Sequence, residues 1–169
     1  MTVLPEPTGN EISTFVDFLY DGLQGYAFLG AKKPSSKEWL QEFFEWPAQR
    51  DKLISTIENV YKKVEVYLAP AIYARPHAEK YDVKETNVIW TEFDGNAPTE
   101  ASWNEFGGPP SLVIRSSGEG HSHVYWRLSE PLSGTERIEN ITSRVAAHFG
   151  ADPSVVNVNK VLRPPSTLS

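Results

Sequence analysis

Two acidic side chains lie two residues apart near the end of a hydrophobic stretch. Residues 87–94 read Asn-Val-Ile-Trp-Thr-Glu-Phe-Asp, a β-branched and aromatic run that is typical of a β-strand. Because strand side chains alternate between the two faces of a sheet, we expect Glu92 and Asp94 to point the same way. Neighbouring carboxylates repel each other unless a cation lies between them, and their oxygens suit Mg²⁺ or Mn²⁺. The pattern therefore indicates either a metal site or two solvated acids at a strand end.

A second stretch combines glycines with histidines. Residues 117–126 read Ser-Gly-Glu-Gly-His-Ser-His-Val-Tyr-Trp. Gly118 and Gly120 permit a turn whose backbone N–H groups face an anion. In the strand that follows, His121 and His123 should share one face, because they too are two residues apart. If this strand neighbours the acidic one, the two stretches form a site for metal and phosphate; a plain hairpin turn is the alternative interpretation.

Composition and charge exclude several classes of protein. The chain has 169 residues, enough for one domain with a sizeable core, and its hydrophobic content of 40% is ordinary for a globular protein. It has no cysteine, so disulfides and thiolate metal sites are excluded. A net charge of −6 does not suit a protein that coats nucleic acid by bulk electrostatics. An enzyme that holds phosphates through metal ions tolerates such a surface, because the cations supply the positive charge.

The first 63 residues are predicted to be mostly helical, because apolar residues recur in them at helical spacing. The predicted elements are a helix capped by Asn10, a short strand over residues 26–29, a helix that begins at Ser35 or Ser36, and a helix after Pro47. The second of these helices would carry Trp39, Leu40 and Phe43 on one side. We therefore expect an N-terminal helical lobe, with a strand or two, packed against the rest of the domain.

The remaining residues alternate between predicted strands and loops before a final helix. Strands are predicted over residues 64–70, 87–94, 111–115, 121–128 and 155–158, with a polar loop over 72–84 and a further loop over 95–110 that holds one helical turn at 99–106. Ser133 and Glu136 match a capping box, and Gly150 marks the end of the helix that they begin. This order predicts an α/β (α+β) domain with a mostly antiparallel, palm-like central sheet, similar to an RNA-recognition domain, from about residue 64 to residue 169.

Three signatures in this order make residues 64–167 resemble the primase-polymerase domain of the archaeo-eukaryotic primase superfamily, in the branch found on phage and plasmid replication proteins. The first is the acidic pair after a hydrophobic strand, where the family writes Asp-x-Asp or Asp-x-Glu. The second is Pro-Pro and a strand followed by residues 117–126, which fit Ser-Gly-x-Gly-x-His-x-Tyr-Trp with one extra residue before His123. The third is Asp-Pro at residues 152–153 followed by Lys-Val-Leu-Arg-Pro-Pro-Ser-Thr, which is similar to the family's segment ending in Arg-x-Pro-Gly-Thr.

The resemblance implies a nucleotidyltransferase that joins NTPs or dNTPs on a DNA template by two-metal phosphoryl transfer. Glu92 and Asp94 would bridge two Mg²⁺ or Mn²⁺ ions, with Asp152 as a candidate third ligand. His123 would bind the triphosphate of the incoming nucleotide. The other nucleotide-binding candidates that it implies are Ser117, Gly118, Gly120, His121, Lys160 and Arg163, with Arg115 as a weaker one.

Two departures from the family pattern leave assignments open. The extra residue before His123 makes His121 an alternative to it, although His123 keeps the family's spacing to Tyr-Trp. In addition, Asn157 stands where a third carboxylate is expected, and Asp152 is the only acid between the last predicted helix and Ser169. Asp152 is therefore either a metal ligand or a residue that caps a loop.

Two other functions remain as alternatives. The spacing of His121 and His123 also fits the two-histidine metal pair of a rolling-circle replication nuclease, but the tyrosine nucleophile of that chemistry typically follows on a helix. Here only Tyr125 follows, on the histidine strand itself. A non-catalytic domain that binds nucleotides or DNA is the second alternative, because Asn157 replaces a carboxylate and the net charge is acidic.

The resemblance also implies partners. They are a DNA template and primer, NTP or dNTP substrates, and a helicase, the family's usual companion. The chain stops at Ser169 without a terminating helix or polar tail, so we expect that it was excised from a longer protein. The N-terminus has neither the basic nor the apolar region of a signal peptide. We therefore expect no membrane partner and a cytoplasmic location in a bacterial host cell.

Overall fold

Every strand pairing in the central sheet is antiparallel. The computed structural model describes residues 9–33, 35–95, 98–115, 121–151 and 160–165. Its strands are β1 (Gly25–Lys32), β2 (Trp39–Trp46), β3 (Glu65–Leu68), β4 (Ile72–Tyr73), β5 (Val83–Asp94), β6 (Leu112–Arg115) and β7 (His121–Ser133). Its α-helices are α1 (Gly9–Tyr20), α2 (Arg50–Val60), α3 (Glu100–Phe106) and α4 (Thr135–Phe149). The predicted antiparallel α+β fold is confirmed.

The seven strands form one sheet in the order β2-β1-β4-β5-β7-β6, with β3 paired to β1 beside β4. The longest strands, β5 and β7, are neighbours in the middle of this order. Within the described ranges, no helix is long and apolar enough to span a membrane. The sheet thus places the acidic stretch on β5 and the histidine stretch on β7 side by side.

The predicted helix from Ser35 or Ser36 is wrong, because residues 39–46 form strand β2. This strand pairs with β1 along its whole length, from Trp39 opposite Lys32 to Trp46 opposite Gly25. The end of β2 that pairs with the start of β1 buries Phe44 and Trp46. These residues are two apart and therefore lie on the same face of the strand. A long-range pairing has therefore overridden the local helical spacing. The N-terminal residues contribute β1 and β2 to the same sheet that carries the candidate site.

Residues 72–84 are not simply a polar loop, as the sequence predicted. Ile72 and Tyr73 are buried and form β4, which joins β1 to β5. The polar part is a turn in which the buried Asp82 accepts hydrogen bonds from Arg75 and contacts His77. These contacts, from Arg75 first, lower the pKa of Asp82 below its usual value. The polar residues of the turn concealed β4 in the sequence, although this short strand is part of the hydrophobic core.

Several element boundaries differ from expectation for local reasons. Ser133 is the last residue of β7, and Gly134 occupies the N-cap of α4 without a side-chain hydrogen bond, so the predicted capping box does not form. Asn10, the predicted cap, is the second residue of α1, which begins at Gly9. At the other end of α4, Gly150 adopts the left-handed C-cap that the sequence predicted, with φ of 66°. The strand predicted over residues 155–158 lies outside the described residues.

The two faces of the β5–β7 pair are covered by different helices. On one face, Phe15 and Phe18 of α1 pack edge-on against the fully buried ring of Tyr125. On the other face, Phe149 of α4 stacks on Trp126, with ring centroids 5.7 Å apart. Because side chains alternate along β7, His123 shares the α1 face with Tyr125. The candidate site therefore lies on the same side of the sheet as α1.

We expect Tyr20→Phe to lower the free energy of unfolding by about 1 kcal/mol, because it removes the hydrogen bond that the buried Tyr20 hydroxyl donates to the Ala69 carbonyl. The matched change Tyr125→Phe should leave that free energy unchanged or raise it. The buried Tyr125 hydroxyl has no hydrogen-bond partner among the described residues. Urea denaturation measures both variants. A larger loss for Tyr125→Phe than for Tyr20→Phe would contradict these hydrogen-bond assignments.

Candidate active site

A carboxylate and an imidazole face each other across the central strand pair. The β5–β7 register places Glu92 directly opposite His123, and Glu92 Oε1 lies 3.5 Å from His123 Nε2. The His123 side chain is only 5% exposed, whereas that of Glu92 is 21% exposed. Within the described part of the chain, the buried Nδ1 of His123 has no hydrogen-bond partner. Since buried polar atoms almost always have a partner, this ring nitrogen marks a site whose polar groups are not all satisfied by the described residues.

The segment over residues 160–165 brings two basic side chains to the same place. Leu162 forms a two-way backbone bridge with Leu68 of β3, and each N–H···O distance is 2.8 Å. This bridge holds the segment against the sheet, so that Lys160 and Arg163 face the carboxylate–imidazole pair. The result is a pocket of about 180 Å³ lined by Tyr67, Glu92, His123, Lys160, Val161, Leu162 and Arg163.

The guanidinium of Arg163 is held in place by β3. Its Nη2 donates to Glu65 Oε1 at 3.1 Å and to the Tyr67 hydroxyl at 3.2 Å, and the group lies 5.4 Å from the centroid of the Tyr67 ring. Its Nη1 is buried and has no hydrogen-bond partner within the residues that the structure describes. A fixed guanidinium with an unsatisfied N–H group is suited to an oxyanion such as phosphate.

The second carboxylate of the acidic pair lies at the rim of this pocket. Asp94 is opposite His121 in the register, and Asp94 Oδ1 lies 2.7 Å from His121 Nδ1. Both side chains are about half exposed, 51% and 41% respectively. Glu92 and Asp94 therefore share one face, as the sequence predicted, and each contacts the histidine across from it on β7.

The residues present fit a divalent cation of the magnesium type. Among the described residues, no group of three or more His, Cys, Asp or Glu side chains is placed to hold a metal ion. Mg²⁺ does not require such a group, because it usually retains water and takes one or two carboxylates together with substrate phosphates. Glu92 and Asp94, two carboxylates on one face beside a basic pocket, are a donor set of this kind.

The predicted site residues divide into four sets. The structure brings Glu92, His123, Lys160 and Arg163 to one pocket, and places Asp94 with His121 at its rim. Arg115 does not join them: it pairs with Ser122, one residue out of step with His123, so it belongs to the opposite face of the sheet. Ser117, Gly118, Gly120 and Asp152 lie outside the described residues.

Sequence reasoning missed the contribution of β3 to the site. Glu65 and Tyr67 alternate along this strand and point toward Arg163, whereas Val66 and Leu68 are buried. The alternation was visible in the sequence. The partner was not, because Arg163 is far away along the chain and only the bridge at Leu68 brings it close.

Tyr125 does not have the surroundings of a nucleophile. Its side chain is fully buried beneath α1. Burial, and secondarily the nearby charge of Glu92, raise the pKa of its hydroxyl well above the usual value. The tyrosine on the histidine strand is therefore a core residue.

Comparison with known proteins finds similarity in structure but not in sequence. No protein-family model matches the chain, and no curated protein matches it significantly. The AEP domain of the primase-polymerase of cyanophage S-2L has the same fold, with a TM-score of 0.66 and 17% identity over 95% of this chain and 83% of that one. The primase RepB′ matches with a TM-score of 0.68 and 12% identity, covering 96% of this chain and 51% of that one. The catalytic domain of RepB′ in complex with initiator DNA gives a TM-score of 0.59 and 12% identity, covering 93% and 77%.

We expect His123→Ala to weaken the binding of a nucleoside triphosphate by roughly ten- to a hundredfold, the scale of one hydrogen bond to a charged group. The matched change His121→Ala should have a much smaller effect, because His121 lies at the rim with Asp94 and does not line the pocket. Calorimetric titration of each variant with Mg²⁺ and a non-hydrolysable triphosphate measures the two losses. Equal losses, or a larger loss for His121→Ala, would show that the wrong histidine has been placed at the phosphates.

Proposed function

From the fold that this chain shares with archaeo-eukaryotic primase domains, we propose that it is a template-dependent DNA primase or polymerase of phage or plasmid replication. The observation that carries this proposal is the meeting of Glu92, His123 and Arg163 in one pocket. A carboxylate that can take a cation, beside side chains that can take phosphate, is what nucleotidyl transfer requires of a protein. Such chemistry depends on positioning and charge neutralisation more than on a covalent nucleophile.

Glu92 and Asp94 would hold the divalent ions, Mg²⁺ or Mn²⁺, with Asp152 as the candidate third ligand. Two bound ions would supply charge neutralisation at the attacking and leaving oxygens of an in-line displacement. The protein's own part is to keep both carboxylates on one face. The histidines across the strand pair contact them, at 3.5 Å for Glu92 and 2.7 Å for Asp94. Binding of a cation at Asp94 would compete with its contact to His121.

The basic side chains of the pocket would orient the triphosphate. His123 offers the buried ring nitrogen Nδ1 and Arg163 offers the Nη1 group, and neither atom has a partner in the described part of the chain. Lys160, at the other side of the pocket, adds a positive charge without fixed geometry. Because Glu65 and Tyr67 fix the Arg163 guanidinium, little side-chain entropy is lost when it binds phosphate. The turn residues Ser117, Gly118 and Gly120 would add backbone N–H groups to the same phosphates.

The partners that follow from this function are a DNA template with its primer and NTP or dNTP substrates. The structure of the RepB′ catalytic domain was determined with initiator DNA, which supports DNA as the polymer for a chain of this fold. A helicase domain or subunit is the expected companion in the full-length protein. We place the activity in the cytoplasm of a bacterial host cell.

A nucleotide- or DNA-binding domain without catalysis is the second candidate. One observation favours it: both members of the acidic pair already contact a histidine, Asp94 with His121 and Glu92 with His123. The rolling-circle nuclease has less support, since the tyrosine that follows the histidines is buried. Incorporation of labelled nucleotide in the presence of Mn²⁺ or Mg²⁺ separates catalysis from binding alone.

We expect Asp94→Asn and Glu92→Gln each to reduce primer extension at least about a hundredfold, the scale on which loss of one charge-stabilising group acts. Both changes keep the shape of the side chain and remove the charge that would hold a cation. The matched control is Glu85→Gln, at the other end of β5 opposite Ser133, which should retain activity. Template-dependent extension of a labelled primer, with each metal and each nucleotide type, measures the rates.

Thermal unfolding of the same three variants serves as the control for folding. Extension near the wild-type rate in either Asp94→Asn or Glu92→Gln would refute the assignment of these carboxylates to metal. Loss of activity in Glu85→Gln as well would show that removing any carboxylate from β5 impairs extension, so that the effect is not specific to Glu92 and Asp94.

A further inference from the structure

A second, larger pocket lies between α1 and the beginning of β6. We refer to it as the α1–β6 pocket. Thr14, Phe15 and Phe18 line it from α1, Ser111 and Leu112 from the β6 side, and Pro165 from the C-terminal segment. Its volume is about 470 Å³, within the range of roughly 300–1,000 Å³ that is usual for small-molecule sites.

The α1–β6 pocket adjoins the candidate active site. Tyr125, two residues after His123 on the same face of β7, packs beneath Phe15 and Phe18, which line the pocket. Leu112 is opposite Tyr125 in the β6–β7 register, and Pro165 follows Arg163 by two residues. The same terminal segment therefore contributes to the lining of both pockets, and β7 connects the residues beneath them.

The lining of the α1–β6 pocket suits a planar aromatic group and not a phosphate. Phe15, Phe18, Leu112 and Pro165 give it apolar walls, and aromatic faces of this kind stack with nucleobases. Glu11 is the one charged residue that lines the pocket in the described part of the chain, and its carboxylate repels phosphate. The interior thus fits a base whose phosphate stays outside.

A cation lies at the edge where that phosphate would be. Arg127 is exposed on β7, and its Nη1 donates to the carbonyl of Phe18. Its guanidinium lies 6.0 Å from the centroid of the Phe18 ring. The backbone N–H of Arg127 donates to Ser111 Oγ at 2.7 Å. The guanidinium is therefore held at the α1 wall of the pocket, while the backbone of Arg127 is attached to the β6 side.

We propose that the α1–β6 pocket takes one unstacked base of single-stranded DNA, with the adjacent phosphate at Arg127. The choice of DNA, and of the template strand in particular, rests on the proposed function. The base pocket itself rests on the aromatic lining, the volume, the rim cation and the terminal segment that it shares with the catalytic pocket. It would anchor the unpaired strand next to the site of nucleotide addition.

The test combines substitutions that change the pocket with two DNA ligands, one that has bases and one that lacks them. Thr14 is exposed on α1, so Thr14→Trp should occupy the pocket without disturbing the core, and Phe18→Leu should remove one stacking face while keeping an apolar side chain. Asn59→Trp, at an exposed position of α2, is the matched control. Fluorescence anisotropy measures binding of a labelled oligothymidine strand and of a strand of equal length made of abasic nucleotides.

We expect Thr14→Trp and Phe18→Leu each to weaken binding of the base-containing strand about tenfold, equivalent to about 1.4 kcal/mol, and to leave binding of the abasic strand unchanged. Asn59→Trp should bind both strands like the wild type. The proposal is overturned if the two pocket variants bind oligothymidine like the wild type, or lose affinity equally for both strands. Thermal unfolding checks that each variant is folded. If Thr14→Trp is unfolded, the result for Phe18→Leu decides.

The outcome is independent of the outcome for the proposed function. If the pocket variants lose affinity only for the base-containing strand while the wild type incorporates no nucleotide, the base pocket is supported and the polymerase activity is refuted. If the wild type extends primers but the variants show no such loss, the polymerase activity is supported and the base pocket is refuted.

Discussion

The antiparallel register between β5 and β7 is the constraint on which the rest of the site depends. It places Glu92 opposite His123 and Asp94 opposite His121, so that all four side chains lie on one face. A shift of β5 by one residue would turn Glu92 and Asp94 away from the histidines to the other face, where Phe93 and Trp126 pack against Phe149. The buried residues of both strands therefore fix the site as firmly as they fix the core. The alternation of side chains along β5 and β7 thus determines both which residues pack in the core and which residues form the site.

The second requirement is local positive charge in a chain whose net charge is −6. The segment over residues 160–165 supplies it, because the backbone bridge between Leu162 and Leu68 carries Lys160 and Arg163 to the acidic face. Glu65 and Tyr67 then hold Arg163 in position. Arg127 would play a comparable part in the site proposed at the α1–β6 pocket. A few placed cations would thus allow a chain of negative net charge to receive a polyanion.

The sequence predicted those features that depend on local periodicity. The shared face of Glu92 and Asp94 follows from the period of two in a strand, and the end of α4 at Gly150 follows from the conformational freedom of glycine. Features that depend on distant partners could not be predicted. β2 resembles a helix until its pairing with β1 is known, and the two residues of β4 are too few to show a period. The tether of Leu162 to Leu68 joins remote parts of the chain and leaves no local pattern.

The central claim is that the acidic pair and the basic pocket act together on one ligand, a cation bound to a triphosphate. Calorimetric titration of a non-hydrolysable nucleoside triphosphate, with and without Mn²⁺, in the wild type and in Glu92→Gln tests this coupling most directly. The account predicts that Mn²⁺ strengthens nucleotide binding to the wild type at least about tenfold, or about 1.4 kcal/mol, and that Glu92→Gln removes most of this gain. Equal affinity with and without Mn²⁺ in the wild type, or an undiminished gain in Glu92→Gln, would contradict it.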